Sequence, residues 1–425
     1  MAVGEVGVGA VRPGEGPGIV SGMARTPAMR ALAAHGPPRR RLRTSMIVLG
    51  VVVIVVAAAG GAYALGKHGS SSSTGGGGSG RSGSAGGSAT TASPVKPLTV
   101  VSSSPATGTK DVASDSTITV AFSTPISLNS AQPTLTPAVA GTWRQIKPTT
   151  IEFDPAAPLM PSSSVAVTIP GGSTGVRATD GGGLASPVSI AFTVATGSIL
   201  RLQQLLASLN FLPLSFAPSG AAPTANEMAM PQPGSFAWRW TGLPDQLTSL
   251  WAQGNEDVIT KAAVMTFENQ NGLGVDGLAG TAVWTALLKD VAAGKINSTP
   301  YDYVLVSKTL PENLTLYNNG NPQYANIPVN TGAPGADTTD GTYPVFEHVT
   351  SSRMTGTNPD GTTYDDPAVP WASFFLGGDA LHGFVRATYG SPQSNGCVEM
   401  SVADAQTLWP LTPIGTLVTV IGPSS

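Results

Sequence analysis

The single cysteine of this 425-residue chain, Cys397, has the local sequence of a candidate nucleophile. It follows a run of small and turn-forming residues, 390–396, which reads G-S-P-Q-S-N-G. Glycine tolerates the backbone conformations that hold amide groups open beside a reactive side chain. A thiol attacks well only as a thiolate, so it needs a neighbouring base or a lowered pKa. Because the chain has no second cysteine, Cys397 cannot form an intramolecular disulfide and is available for such chemistry.

His382 is the candidate base for Cys397. Two of the four histidines lie in or beside an N-terminal apolar segment, which leaves His348 and His382. His382 follows the apolar run 371–376 and precedes Gly383, which leaves room beside the imidazole. The alternative is that the cysteine is a small buried residue and the histidine a satisfied core residue. The glycine-rich turn and the histidine earlier in the same domain favour catalysis.

The spacing of these residues resembles a known signature. The sequence H-G at 382–383, followed by S-N-G-C-V at 394–398, resembles the L,D-transpeptidase catalytic domain, the YkuD family. That family usually reads H-G, then S/T-H-G-C, then an apolar residue and Arg or Asn. Residues 339–345, T-D-G-T-Y-P-V, are similar to its T-P-x-G-x-[FY]-x-[IV] element. Two positions depart from the pattern: Asn395 stands in place of His, and Glu399 in place of Arg or Asn.

The resemblance implies acyl transfer on peptidoglycan stem peptides through a cysteine thioester. His382 would take the proton of Cys397, and the thiolate would attack the carbonyl that follows a diamino acid. A terminal D-alanine would leave, and the amine of a second stem would form the cross-link. The amides of Gly396 and Cys397 are the expected oxyanion donors. The Gly383 carbonyl, or alternatively Asp379, is expected to orient the imidazole. Carbapenem-type β-lactams are the expected covalent inhibitors.

Five further residues are expected at the substrate-binding site: Ser394, Asn395, Glu399, Tyr364 and Trp371. The two aromatic residues either line the donor cleft or belong to the core. Three placements are open for Glu399. It faces the amine of a diamino acid, it pairs with a cation such as Arg386, or it points to solvent at a helix start. The histidines and the cysteine show no metal-ligand spacing, so no metal and no other cofactor is expected.

Two other functions are compatible with the same residues. If water resolves the thioester, the enzyme is an L,D-carboxypeptidase that uses the same cysteine and histidine. If the departures at Asn395 and Glu399 mark a degenerate site, the chain is a non-catalytic wall-binding protein. Covalent labelling by a carbapenem separates an active thiol from an inert scaffold.

The first 96 residues have the composition of a tail, an anchor and a linker. Residues 1–44 are rich in Gly, Ala, Pro and Arg and are expected to form a disordered cytoplasmic tail. Residues 45–66 form an apolar span long enough to cross a bilayer as a helix. The arginines before it predict a single-pass membrane protein with its N-terminus inside and its catalytic part in the cell-wall space. A cleaved signal peptide is the alternative, because residues 62–64 read A-Y-A. Residues 67–96 are a Gly/Ser linker.

Hydrophobic periodicity predicts three folded domains after the linker. Residues 97–196 alternate apolar and polar residues between turn signals and resemble an immunoglobulin-like all-β sandwich, here interpreted as a spacer rather than a ligand-binding domain. Residues 197–298 have helical spacing and resemble a small α-helical peptidoglycan-binding domain. Residues 299–425 return to strand patterning, which fits a mostly β catalytic domain of YkuD type. One short helix is predicted at 402–409, directly after the Cys397 loop.

Two features of the chain bear on its partners. Residues 1–65 carry seven arginines and two glutamates, a net charge of +5, whereas the rest carries 15 basic and 23 acidic residues, a net charge of −8. An acidic outer part is not expected to bind nucleic acid. The stretch 238–240, W-R-W, either stacks on a sugar or packs against the next domain. Binding of glycan or stem peptide by the helical domain is implied by the resemblance.

Overall fold

The computed structural model of the protein describes residues 95–422, all within one of the two compact units of the chain. The predicted tail, the predicted membrane anchor and nearly all of the predicted linker lie outside the described residues. Between residues 95 and 422, no helix is long and apolar enough to cross a membrane. The described chain forms three successive modules, of which the first and the third consist mainly of strands.

The first module is a two-sheet sandwich, in agreement with its predicted all-β class. Its strands are β1 (Val100–Ser104), β2 (Ile118–Phe122), β3 (Thr134–Thr136), β4 (Gly141–Lys147), β5 (Thr150–Pro155), β6 (Ser164–Ile169) and β7 (Val188–Thr193). The sheets have the orders β1-β2-β5-β4 and β3-β6-β7. Apolar side chains from both sheets, such as Val120 and Val167, form one core. Alternate residues point to opposite faces of a strand, so the alternating sequence buries one side of each sheet.

The second module is mainly helical and contains a small hairpin. Its elements are α1 (Ile199–Ser208), β8 (Leu214–Pro218), a 3₁₀ turn (Ala225–Glu227), β9 (Gly234–Trp238), α2 (Asp245–Thr248), α3 (Val258–Gln270) and α4 (Thr281–Ala292). Ser198 and Asp257 cap α1 and α3 by accepting backbone N–H groups. Buried Glu268 on α3 accepts the N–H groups of Asp276 and Gly277, and this fixes the loop before α4.

The third module packs two sheets around one core. The first sheet contains β10 (Asp302–Ser307), β11 (Asn313–Asn318), β12 (Asn321–Pro328), β13 (Gly341–Pro344) and β18 (Leu417–Ile421), in the order β12-β11-β10-β18-β13. The second contains β14 (Glu347–Thr357), β15 (Thr363–Leu376), β16 (Asp379–Gly383) and β17 (Val398–Met400), in that order. Helix α5 (Val402–Leu408) and a 3₁₀ turn (Trp409–Leu411) follow β17. Val304 and Val418 from the first sheet share a core with Phe375 and Val398 from the second.

Close contacts join the middle module to both neighbours. Thr281 Oγ1, at the start of α4, donates to the carbonyl of Pro161 in the first module at 3.2 Å. Within the middle module, Trp284 of α4 lies against Gly197, where any Cβ would overlap its indole ring. Trp240 stacks on Tyr301, with ring centroids 6.2 Å apart, and also contacts Gly320 of the third module. Of the two predicted placements of the W-R-W stretch, Trp240 therefore has the one against the next domain.

Trp284 is predicted to contribute most to the stability of the middle module. It is 1% exposed, and replacing it with alanine leaves a large cavity beneath α1 and α3. We expect Trp284→Ala to lower the free energy of unfolding by about 3–5 kcal/mol. Chemical denaturation measures the change. Thr285→Ala, on the exposed face of the same helix, is the matched control, and equal effects of the two substitutions would contradict the packing argument.

Candidate active site

The register of two parallel strands places the predicted nucleophile beside the predicted base. In the pair β16–β17, Leu381 lies opposite Val398 and His382 lies opposite Glu399. Cys397 immediately precedes β17, so its thiol reaches the start of β16. The N–H of Ala380 donates to the sulfur, and the sulfur lies 3.7 Å from the carbonyl oxygen of Gly378.

Cys397 and His382 line one solvent-open cleft of about 210 Å³. The other lining residues are Met354, Asn358, Tyr364, Asp366, Val369, Phe384, Arg386, Asn395 and Glu399. The long hairpin β14–β15 supplies five of these residues from its strands and its tip. The sheet therefore provides both the reactive pair and one wall of the cleft.

The imidazole of His382 is held in one orientation from behind. His382 is 3% exposed, and its Nδ1 lies 3.1 Å from the carbonyl oxygen of Gly383. A carbonyl can only accept, so Nδ1 carries the proton and Nε2 is left with its lone pair. Burial lowers the pKa of His382, which favours the neutral ring. Helix α5 packs so closely on Gly383 that a Cβ there would meet Val402 at 3.0 Å.

Hydroxyl groups fix the loop that carries the nucleophile. Ser394 Oγ donates to the carbonyl of Cys397 at 2.6 Å and accepts the N–H of Gly396 at 3.2 Å. Thr338 Oγ1 donates to the carbonyl of Gly396 at 2.7 Å and accepts the N–H of Gly332 at 2.9 Å. Of the two expected oxyanion donors, the Gly396 amide is therefore already engaged. The Cys397 amide donates no hydrogen bond to any residue between 95 and 422.

Gly396 must be glycine for two reasons. Its φ is +110°, a conformation that side chains disfavour, and a Cβ there would overlap Oδ1 of Asp379. Asp379 thus lies against the nucleophile loop. The sequence leaves the Gly383 carbonyl and Asp379 as alternative partners of the imidazole. In the structure, His382 Nδ1 is hydrogen-bonded to the Gly383 carbonyl and not to Asp379. Burial raises the pKa of Asp379 to about 6.

The thiol of Cys397 is set in surroundings that disfavour its ionised form. Burial, together with the carboxylates of Asp379 and Glu399, raises its pKa to about 12, although the donated Ala380 N–H acts in the opposite direction. The resting pair is therefore a neutral thiol and a neutral imidazole.

Glu399 pairs with Arg386, one of the three placements that the sequence leaves open. Its carboxylate is 6% exposed and binds the guanidinium bidentately, with Nε–Oε2 at 2.7 Å and Nη2–Oε1 at 2.8 Å. Arg386 also lies over the Phe384 ring and donates to the carbonyl of Gln393. Glu399 lies within β17 and is buried, so it does not point to solvent at a helix start.

The remaining predicted residues separate into cleft and support positions. Tyr364 lines the cleft, and Asn395 there donates to Asn358, at the hairpin tip, at 2.6 Å. Trp371 does not line the cleft; it has a φ of +58° and lies in a smaller cavity behind His382. His348 stacks on Trp409, with centroids 3.9 Å apart, and donates to its carbonyl.

Sequence reasoning does not single out three residues that shape the site. Thr338 precedes the 339–345 element and is recognisable only by its hydrogen bonds. Asn358 and Asp366 lie on the β14–β15 hairpin, far from the signature residues in sequence. Only the strand register brings these two beside Cys397.

Three family models match separate parts of the chain. Residues 94–194 match the bacterial Ig-like domain, residues 245–287 match the putative peptidoglycan binding domain, and residues 301–420 match the L,D-transpeptidase catalytic domain. A search of curated proteins found no match.

Several solved structures are similar to the chain. An L,D-transpeptidase from Mycobacterium smegmatis is 12% identical, with a TM-score of 0.27, over 77% of this chain and 100% of that one. L,D-transpeptidase 3 from Mycobacterium tuberculosis, in complex with a faropenem-derived adduct, is 15% identical, with a TM-score of 0.26, over 76% and 97%. The catalytic domain of the E. faecium L,D-transpeptidase acylated by ertapenem is 23% identical, with a TM-score of 0.26, over 29% and 100%. The assignment of the three domains therefore rests on the family models and not on these structural similarities.

The protonation states predict the pH profile of acylation. Burial lowers the pKa of His382, so the base becomes competent below the ordinary histidine value of about 6.5. The thiol, with a pKa of about 12, does not ionise alone at neutral pH. We expect the acylation rate to rise with pH through a value below about 6.5, with no second rise near about 8.5. Single-turnover acylation by a carbapenem across this range measures the profile.

Ultraviolet absorbance of the thiolate is an independent test of the same states. Cys397→Ser, which has no thiol, supplies the baseline. A thiolate signal at neutral pH in the resting wild-type protein would show a preformed ion pair and contradict the expectation.

The Arg386–Glu399 pair is predicted to stabilise the site more than an exposed pair does. Glu399→Gln leaves the guanidinium without its buried partner, which costs about 3–5 kcal/mol for a fully buried pair. Since the Arg386 side chain is 30% exposed, we expect about 2 kcal/mol, measured by denaturant unfolding. Arg353→Gln, in an exposed pair with Asp365, is the control and should lower the free energy of unfolding far less, because solvent screens an exposed pair. Equal costs would refute the prediction.

Proposed function

Because the chain carries an L,D-transpeptidase catalytic domain preceded by an Ig-like domain and a peptidoglycan-binding domain, we propose that it cross-links peptidoglycan stem peptides through a Cys397 thioester. The observation that carries this proposal is the common cleft of Cys397 and His382. A neutral imidazole and a thiol that line the same cleft supply the base and the nucleophile that acyl transfer needs.

The first half-reaction forms the acyl-enzyme. As Cys397 sulfur attacks the carbonyl that follows the diamino acid of a donor stem, its proton passes to Nε2 of His382. The tetrahedral intermediate then collapses, the peptide bond breaks, and the imidazolium returns the proton to the departing D-alanine amine. At the end of this half-reaction the thioester is uncharged and the imidazole is neutral again, as it is in the resting protein.

The second half-reaction forms the cross-link. The side-chain amine of a second stem attacks the thioester and gives a proton to His382. The thiolate that leaves takes this proton back, which restores the resting thiol. If water attacks instead, the product is a shortened stem, as in an L,D-carboxypeptidase.

The Cys397 amide is the proposed oxyanion donor in both half-reactions. It makes no other hydrogen bond within residues 95–422, whereas the Gly396 amide is held by Ser394. Gly396 and Ser394 therefore act by fixing the loop. Gly383 acts by orienting the base through its carbonyl, at 3.1 Å from Nδ1.

The residues predicted to bind substrate have direct and indirect roles. Tyr364 and Asn395 contact the donor stem, while Glu399 acts indirectly by holding Arg386 in place. Trp371 supports the ring of His382 from the small cavity behind it.

We further propose that the other parts of the chain hold the catalytic module in the wall. In this proposal the middle module binds peptidoglycan glycan or stems, the first module is a spacer, and residues 45–66 are the membrane anchor, with the N-terminus inside the cell. Carbapenems are the proposed covalent inhibitors, because the Cys397 thiol lines the solvent-open cleft together with His382.

Substitution of the reactive pair tests the proposal. Cys397→Ala should abolish both carbapenem labelling and cross-link formation. His382→Ala should slow acylation by roughly 10²–10⁴-fold, the range for loss of a general base. His348→Ala, which removes a stacked histidine outside the cleft, is the matched control and should change the rate by less than about tenfold.

Mass spectrometry of the protein and of the stem-peptide products reads out each variant. Dimeric stems support the transpeptidase, shortened monomers identify the carboxypeptidase, and no product with no carbapenem adduct identifies a non-catalytic protein. Activity retained by Cys397→Ala, or a larger loss at His348 than at His382, would overturn the mechanism.

A further inference from the structure

Among the described residues that line the cleft, Asp366 is the one carboxylate without a direct partner. Tyr364 and Asp366 lie on the same face of β15 and line the cleft, whereas Asp365 between them lies on the other face and pairs with Arg353. Within residues 95–422, the half-buried Asp366 side chain makes no hydrogen bond and no salt bridge, although it interacts electrostatically with Arg386 and His382.

The charges of the cleft residues do not balance, and the unbalanced charge is that of Asp366. Arg386 is the only lysine or arginine among the described residues that line it, and two of its N–H groups bind Glu399 bidentately. These opposite charges cancel, and His382 is neutral. Among the lining residues, this leaves one uncompensated negative charge, that of Asp366. Asp379 does not line the cleft but acts electrostatically on Tyr364 and Cys397, so it adds to the negative field, which favours a cationic ligand group over an anionic one.

The remaining walls fit an aliphatic chain that ends in this cationic group. Met354 lies opposite Asp366 in the β14–β15 register, and Val369 follows it on the same strand. Apolar walls beside one carboxylate match the methylenes and terminal ammonium of a diamino acid side chain.

We propose that Asp366 binds the side-chain ammonium of the diamino acid in the acyl donor. This inference rests on the proposed function, since it names the donor group that the same cleft selects. Asp366 is then a specificity-determining residue: it sets affinity for the donor and takes no part in bond formation.

Paired donors test the assignment. Two stem tetrapeptides are compared, one with a free side-chain amine and one with this amine acetylated. D-Alanine release is the assay, and it gives separate values of KM and kcat for each donor. Wild-type protein should favour the free amine by about tenfold in KM. Asp366→Asn should raise KM for the free amine to the value of the acetylated donor and leave the acetylated donor unchanged.

Asp365→Asn is the matched control, because it removes the same charge from the adjacent residue on the opposite face. It should behave as wild type with both donors. If Asp366→Asn acts only through His382, kcat changes equally for both donors, and this result would overturn the proposal. Equal KM values of the two donors in wild type would also overturn it. A change in Asp366→Asn that is confined to attack by the acceptor amine would do the same.

Binding separates this inference from the proposed function. If wild type releases no D-alanine from either donor, the proposed function fails, but donor affinity is still measurable calorimetrically on Cys397→Ala. Tighter binding of the free-amine donor, lost on adding Asp366→Asn, supports the Asp366 site. Equal binding of both donors refutes it.

Discussion

The parallel pairing of β16 with β17 is the constraint on which the site depends. Its register sets His382 opposite Glu399 and brings the thiol of Cys397 to the backbone of Gly378 and Ala380. A shift by one residue would turn each side chain of the moved strand to the other face of the sheet. The two reactive groups lie 15 residues apart in sequence, so the hydrogen bonds of this short ladder keep them together.

Around this ladder, the site is held by contacts that leave little freedom. The carbonyl of Gly383 fixes the imidazole, and α5 packs directly on that glycine. On the other side, the hydroxyls of Ser394 and Thr338 bind three groups of the nucleophile loop. Rigid placement of this kind lowers the entropy that must be lost when a substrate reaches the attacking geometry.

Sequence alone is sufficient to propose Cys397 and His382 as the candidate pair, because a lone cysteine in a glycine-rich turn and an H-G pair are local patterns. The strand-rich first and third modules also follow from local alternation. From the sequence alone, pairing with Arg386 is one of three possible placements of Glu399. The pair forms only because the loop after β16 brings Arg386 back beside β17. Asp366 has no distinguishing sequence pattern, and only the hairpin's face assignment separates it from Asp365.

The raised pKa of Cys397 has a consequence for survival of the protein in an oxidising medium. Peroxides and disulfides react with thiolates far faster than with thiols. A cysteine that stays protonated until an acyl donor is bound is a poor target for such oxidants. This matters because the chain has no second cysteine that could trap a sulfenic acid as a disulfide and open a route back to the thiol. A low thiolate fraction at rest thus slows an oxidation that no second cysteine in the chain could reverse.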